Sequence, residues 1–230
     1  MTYFNTFNQR LDPTMIAKPV FRSRAAALTP FGLLLVCLPT LLVSATVLWA
    51  LFAGGEGTLT SAADTLRYAQ YPRALALHAV AGMAMLGLGI VQITPALRRR
   101  FPRWHRWSGR LLVLGGFGFA LTGLVMNANA AAPAGTFAYD VAQTLAALGL
   151  MACLTAGVVA IRRRAVARHR AWMLRAYAIS MGAATQTIAL LPVFLLIGPP
   201  TGLISNLVLI GAWPFNLCIA EWVIRRGQTS

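Results

Sequence analysis

The fold class that this sequence predicts is an all-α polytopic membrane bundle of six transmembrane helices. Three observations predict it. Of the 230 residues, 58% are hydrophobic and only 11% charged, with a mean hydropathy of +0.67, a balance that a water-facing surface does not tolerate. The apolar residues fall in six uncharged runs of about the 20 residues that a helix needs to cross the hydrocarbon layer. These runs are continuous rather than alternating, which speaks against a barrel of strands.

The runs cover residues 31–53, 75–97, 111–127, 139–161, 176–197 and 202–224. The first is too long for the apolar region of a signal peptide and has no A-x-A site at its end, so it reads as a retained span, peripheral and interrupted by Pro39. The third is short, but Pro102 is a good first-turn residue, so its helix is expected to begin in the preceding loop and enter the membrane near Arg110. Spans two to five are expected to form the core and span six to close the bundle. Residues 1–30 are polar, basic and punctuated by Pro13, Pro19 and Pro30, which predicts a cytoplasmic basic tail ahead of a single membrane domain over 31–226.

Twenty Lys+Arg against five Asp+Glu give a formal charge of +15, and the position of those charges assigns their role. Eighteen of the 20 lie at the ends and loops of one side; Arg67 and Arg73 stand on the other with Glu56, Asp64 and Asp140. The positive-inside rule then predicts that both termini are cytoplasmic. Topology accounts for the charge, so nucleic-acid binding has no support. Near-total use of Arg over Lys and abundant Ala suggest a bacterial genome and an inner-membrane location. Cys37, Cys153 and Cys218 sit in apolar runs, where a thiol acts as a small hydrophobe. No P-loop, GxGxxG, HExxH, CxxC or haem-attachment CxxCH occurs, which removes the common soluble-enzyme classes.

Two inner loops repeat one another. Arg98-Arg99-Arg100 is followed after four residues by His105-Arg106, and Arg162-Arg163-Arg164 after four residues by His169-Arg170, an offset of 64 positions. Spans two to three and four to five are therefore candidate parallel repeats, each a helical hairpin with a basic, histidine-bearing corner. Around these corners stand HRWxGR at residues 105–110, HRxWMxRxYA at residues 169–178, His78 with Gly82, and Asn216 with Ala220-Glu221-Trp222. In these motifs the chain resembles a widespread bacterial family of predicted multi-pass membrane proteins whose domain has no assigned function. The likeness covers most of the chain beyond about residue 70. It implies a polytopic membrane protein and brings no reaction. The family's Gly-Pro-Phe-Gln turn is reduced here to Val91-Gln92-Ile93.

The three histidines supply the candidate chemistry. Neutral imidazole is the standard axial ligand of b-type haem, and helix bundles hold the macrocycle between histidines of different helices near one membrane face. His105 and His169 meet that requirement, while His78, about 20 residues of helix away, does not. Small-residue stripes run in line with them: His105, Gly109, Leu112, Gly116, Phe119 and Gly123; His78, Gly82, Met85, Gly89 and Gln92; His169, Met173, Ala176, Ser180 and Ala184. Such stripes can serve a flat cofactor, but they are more often the contacts of close helix packing.

Three readings of function stay open. In the first, His105 and His169 hold one haem b near the cytoplasmic face, with quinone as a possible electron partner. In the second, the repeated hairpins form a small-molecule or ion transporter with Gln92, Gln186 or Glu221 in its pathway. In the third, the protein is a non-catalytic accessory subunit of another membrane protein or a lipid-binding scaffold, with Arg106, Arg110, Arg170 and Arg175 on anionic headgroups. Under that last reading His105 and His169 orient their helix starts within a belt of Trp104, Trp107 and Trp172. Glu221 is expected to pair with Arg225 one turn on, Gln92, Gln186 and Asn216 to bond across helices, and Asn127, Asn129, Asp140 and Gln143 to form a packed polar loop, with an outer vestibule shared with His78 as the alternative.

Overall fold

The computed structural model describes residues 24–53, 71–129, 137–198 and 202–226, all of them in helices or short turns between helices. The helices are α1 (Arg24–Ala53), α2 (Pro72–Ile93), α3 (Pro95–Arg100), α4 (Pro102–Asn129), α5 (Phe137–Arg162), α6 (Val166–Ser180), α7 (Gly182–Leu196) and α8 (Gly202–Arg226). Six stretches are long and apolar enough to cross a membrane, with α6 and α7 together making the fifth. The basic tail up to residue 23 and most of the loop carrying Glu56, Asp64 and Arg67 lie outside the described residues.

Proline positions explain several helix starts. A residue before proline is pushed out of the helical region, and proline itself suits the first helical position, where no N–H is needed. Tyr71, Thr94 and Phe101 each precede a proline and each leave the helical region, and Pro72, Pro95 and Pro102 open α2, α3 and α4. The second span therefore ends at Ile93 rather than running to residue 97, and a separate six-residue helix carries Arg98, Arg99 and Arg100. Thr94 is buried at this break and its hydroxyl donates to the Ile90 carbonyl at 2.7 Å, satisfying a group that the lost turn frees. Span three begins at Pro102, as its sequence suggests. Span five begins at Val166, ten residues before the apolar run, because an interfacial helix continues into polar sequence where hydropathy no longer marks it.

The core is built by spans two to five. Met85 of α2, Leu112 and Ala120 of α4, Leu150, Cys153 and Leu154 of α5, and Ala176 and Ile179 of α6 form one buried cluster. A second joins Cys37 of α1, Leu86 and Ile90 of α2, and Tyr177, Met181 and Ala184 of the fifth span. Packing is most extensive between α2 and α4 and between α5 and α6, the two hairpins of the repeat; α4 on α5 joins them and α8 rests on α5, α6 and α7. Span one is less peripheral than its composition suggests. One face of α1 lies on α2 and α7, Cys37 is fully buried, and the Thr40 hydroxyl bonds Thr187 at 3.0 Å and the Ala183 carbonyl at 3.3 Å.

The small-residue stripes are filled by neighbouring side chains. A Cβ on Gly116 would stand 2.6 Å from a Leu154 methyl and 3.0 Å from the Met85 sulfur; on Gly89 it would strike the Tyr177 ring, and on Gly82 the Phe119 ring at 2.9 Å. In this structure the stripes serve close approach of helices, the usual contact in a membrane where lipid tails compete with apolar side chains.

Candidate functional site

Both corner histidines occupy the fourth position of their helix. The His105 N–H bonds back to the Phe101 carbonyl and the His169 N–H to the Ala165 carbonyl, so the repeat seen at 64-residue spacing is also a repeat of helix register. The two imidazoles share one end of the bundle and lie within electrostatic reach of each other, with Arg98 and Arg106 also acting on His105.

The partners of the two rings differ between the hairpins. The His169 Nδ1 bonds the Gly157 carbonyl of α5 at 2.8 Å. A carbonyl only accepts, so Nδ1 carries the proton and Nε2 keeps its lone pair, the tautomer in which a histidine is held for a ligand. Gly157 permits that approach because Trp172 and Met173 of α6 occupy the space a side chain would take, with the Met173 sulfur 2.9 Å from a Cβ there. In the first hairpin the equivalent of Gly157 is Ile93, where α2 ends at the Thr94–Pro95 junction. His105 has no such anchor: its Nδ1 is buried without a partner.

Gln92 supports the His105 corner instead, through the backbone. Its Nε2 donates to the His105 carbonyl at 3.0 Å and to the Ser108 hydroxyl at 2.6 Å, and Ser108, fully buried, donates to the Trp104 carbonyl at 2.7 Å. Ser108 had a legible signal, as the small hydroxyl residue inside HRWSGR, yet nothing local names its partner.

The arginine-rich end is otherwise open. Arg99, Arg100, Arg103, Arg106, Arg110, Arg162, Arg163, Arg164, Arg168 and Arg170 are exposed, and Trp104 and Trp107 stand 54% and 62% exposed among them. Arg175 is different. Its guanidinium lies 4.7 Å over the Trp172 ring and pairs with both carboxylate oxygens of Glu221. This corrects the expected local pair, because the partner of Glu221 is Arg175 of α6, 46 positions away, while Arg225 is a neighbouring charge only. The positions proposed for a transport pathway are also engaged between helices. Gln92 is bound as above and the Gln186 Nε2 donates to the Leu209 carbonyl of α8 at 2.7 Å. Asn216 accepts from Thr185 at 3.0 Å, as expected for a cross-helix bond.

His78 stands apart from the corner and from the outer vestibule. Its Nδ1 lies 3.0 Å from the Phe119 carbonyl and 3.1 Å from the Thr122 hydroxyl, and its ring stacks on Phe119 at 4.2 Å. It lines a cavity of about 170 Å3 between α1, α2, α4 and the fifth span. Asn127, Asp140 and Thr144 line a separate hollow of about 220 Å3, with the Asn127 Nδ2 on the Asp140 carbonyl at 2.8 Å. Among the described residues no three His, Cys, Asp or Glu side chains gather as a metal site.

Six long apolar helices around a shared core define an integral, multi-pass membrane protein. The family described as a predicted membrane protein, DUF2306, matches residues 75–224, more than half of the chain, and the protein belongs to that family. No curated protein and no solved structure matches it.

Proposed function

We propose that the arginine-rich corner binds one b-type haem, with His105 and His169 as axial ligands, and that the protein carries electrons within the membrane. The observation that carries this reading is the placement of two same-register histidines, one from each hairpin, at one end of the bundle, with the charge of His169 acting on His105. Two imidazoles without a third donor suit a macrocycle, which supplies four equatorial nitrogens of its own, better than a bare four-coordinate ion. His169 fits the role through its carbonyl-held ring. His105 fits in part: its buried Nδ1 has no protein partner, so no hydrogen bond from the chain sets its tautomer. Arg98 and Arg106 beside it suit the two propionate carboxylates. Because Leu154, Met85 and Gln92 fill the α4 stripe, the group has to sit at the corner rather than along that stripe. Bound haem supplies a reversible one-electron change at iron; the chain's own part is to hold the two rings and the carboxylates.

The test is a reduced-minus-oxidised visible spectrum of the full chain, purified in mild detergent from haem-replete cells, beside H105A and H169A. A b-type signal lost in both variants, with unchanged membrane insertion, supports the reading. A colourless wild type, or haem retained by both variants, overturns it.

A second reading has its own observation. Ten exposed arginines with Trp104 and Trp107 between them form a cationic rim that suits anionic headgroups. It predicts binding to vesicle lipids that falls with salt and is indifferent to H105A and H169A.

A further inference from the structure

We propose that the cavity at the bend of the fifth span is a binding site for a hydroxyl-bearing aromatic ring, the head group of a membrane-soluble phenol or quinol. The argument is independent of the haem reading and uses none of its residues.

The cavity holds about 170 Å3, and an apolar cavity of about 150 Å3 is enough to take up benzene. Its walls are of mixed chemistry. Thr40 and Ser44 come from α1, His78 and Met85 from α2, Phe119 from α4 and Ser180 from the end of α6. The bend brings Ser180 and Ala183 there, since α6 stops at Ser180 and α7 starts at Gly182.

Apart from the Ser44 hydroxyl, which has no bond among the described residues, the lining's donors are already used. The Phe119 carbonyl can only accept, so the His78 Nδ1 carries the ring proton and gives it to that carbonyl. The Thr122 hydroxyl, which donates to the Gly118 carbonyl at 2.7 Å, takes no proton away from the ring. Ser180 donates to the Ala176 carbonyl at 2.9 Å, and Thr40 donates toward Thr187 and the Ala183 carbonyl. What remains is the Ser44 hydroxyl as a donor and, as acceptors, the lone pair of His78 Nε2 and the oxygens of Ser180 and Thr40. A group that both donates and accepts satisfies the two kinds together, which favours an alcohol or phenol over a ketone or quinone, whose oxygen only accepts. The Phe119 ring and the Met85 thioether select a flat ring over an aliphatic chain, because both make favourable contacts with π-systems.

The chain has three histidines, so 15N-histidine labelling gives three ring systems, and H78Q assigns the one that matters. The experiment titrates the full-length protein in phosphatidylcholine nanodiscs with p-cresol, and in parallel with 4-methylanisole, the same ring with its hydroxyl methylated. We expect p-cresol to shift the His78 Nε2 resonance saturably and 4-methylanisole to bind about tenfold more weakly, the loss of one hydrogen bond to an aromatic nitrogen. S44F, which fills the cavity from α1, is expected to abolish the shift, and A183L to do the same from α7, with the His105 and His169 signals of each variant reporting an intact fold. An unsaturable response, equal response to both compounds, or saturable binding retained in folded S44F and A183L overturns the proposal.

Discussion

Arg175 of α6 grips Glu221 of α8 in a two-pronged pair, Nε to Oε1 at 2.5 Å and Nη2 to Oε2 at 3.0 Å. The guanidinium fork matches the carboxylate edge and is further held against Trp172, so little rotamer freedom remains to be lost in making the bond. The pair ties span six to the centre of the bundle.

Removing one partner will therefore loosen α8. With side chains 25% and 36% exposed, the loss is smaller than for a fully buried pair, and E221Q is expected to cost about 1–2 kcal/mol. R175A adds the loss of the Trp172 contact and is expected to cost more. A double-mutant cycle on thermal unfolding in detergent checks the coupling: additive single effects contradict a direct pair.

Gly89 and Tyr177 fit one another so closely that G89A is expected to destabilise the α2–α6 contact by about 1–3 kcal/mol, since its Cβ would enter the Tyr177 ring. Tyr177 is buried and anchored by its hydroxyl on the Leu86 carbonyl at 3.3 Å, so the ring cannot swing aside without giving up that bond. The check is suppression: Y177A on its own loses packing, but combined with G89A it is expected to recover part of the G89A loss. A G89A variant as stable as the parent would contradict the contact.

Much of this architecture is readable from the chain because its causes are local. Six uncharged runs give six spans, and three X-Pro steps give the helix starts at Pro72, Pro95 and Pro102, while Pro39, Pro192 and Pro214 stay inside their helices. The repeated RRR and HR motifs lead to two histidines of equal register. Where the cause is tertiary, the sequence points elsewhere. Glu221 has an arginine four residues on, and i,i+4 order favours that pair, yet the fold brings Arg175 nearer in a better geometry. Thr40 and Ser44, four apart in a leucine-rich span, mark a polar face of α1, but only the bend at Met181 makes that face the wall of a cavity with His78. The small-residue stripes are visible in the sequence, and what fills them is not.

Gln92 is expected to set the order of the His105 corner. Q92L keeps the side-chain volume and removes both donated bonds, to the His105 carbonyl and to Ser108, for an expected loss of about 1 kcal/mol. Ser108 keeps its own bond to Trp104, so the effect is confined to the α2–α4 seam. Hydrogen exchange is the measurement: faster exchange in the first turns of α4 with α6 unchanged is expected, because His169 is held by Gly157 and not by a glutamine. Equal acceleration in both helices would show that the two corners are not separately supported.

The meeting of the two hairpins is open to a test that needs no cofactor. With Cys37, Cys153 and Cys218 replaced by alanine, H105C/H169C is expected to cross-link with a short bismaleimide, since the two positions lie within electrostatic reach at one end of the bundle. H78C/H169C serves as the control and is expected not to, because His78 is bonded to Phe119 and Thr122, about four to five turns along α4 from His105. Cross-linking is read as a mobility shift after proteolysis between α4 and α6, so that joined and unjoined halves separate. If the first pair fails to join while the second succeeds, the hairpins do not meet at their histidines, and the two-imidazole site falls with that arrangement whatever the visible spectrum shows.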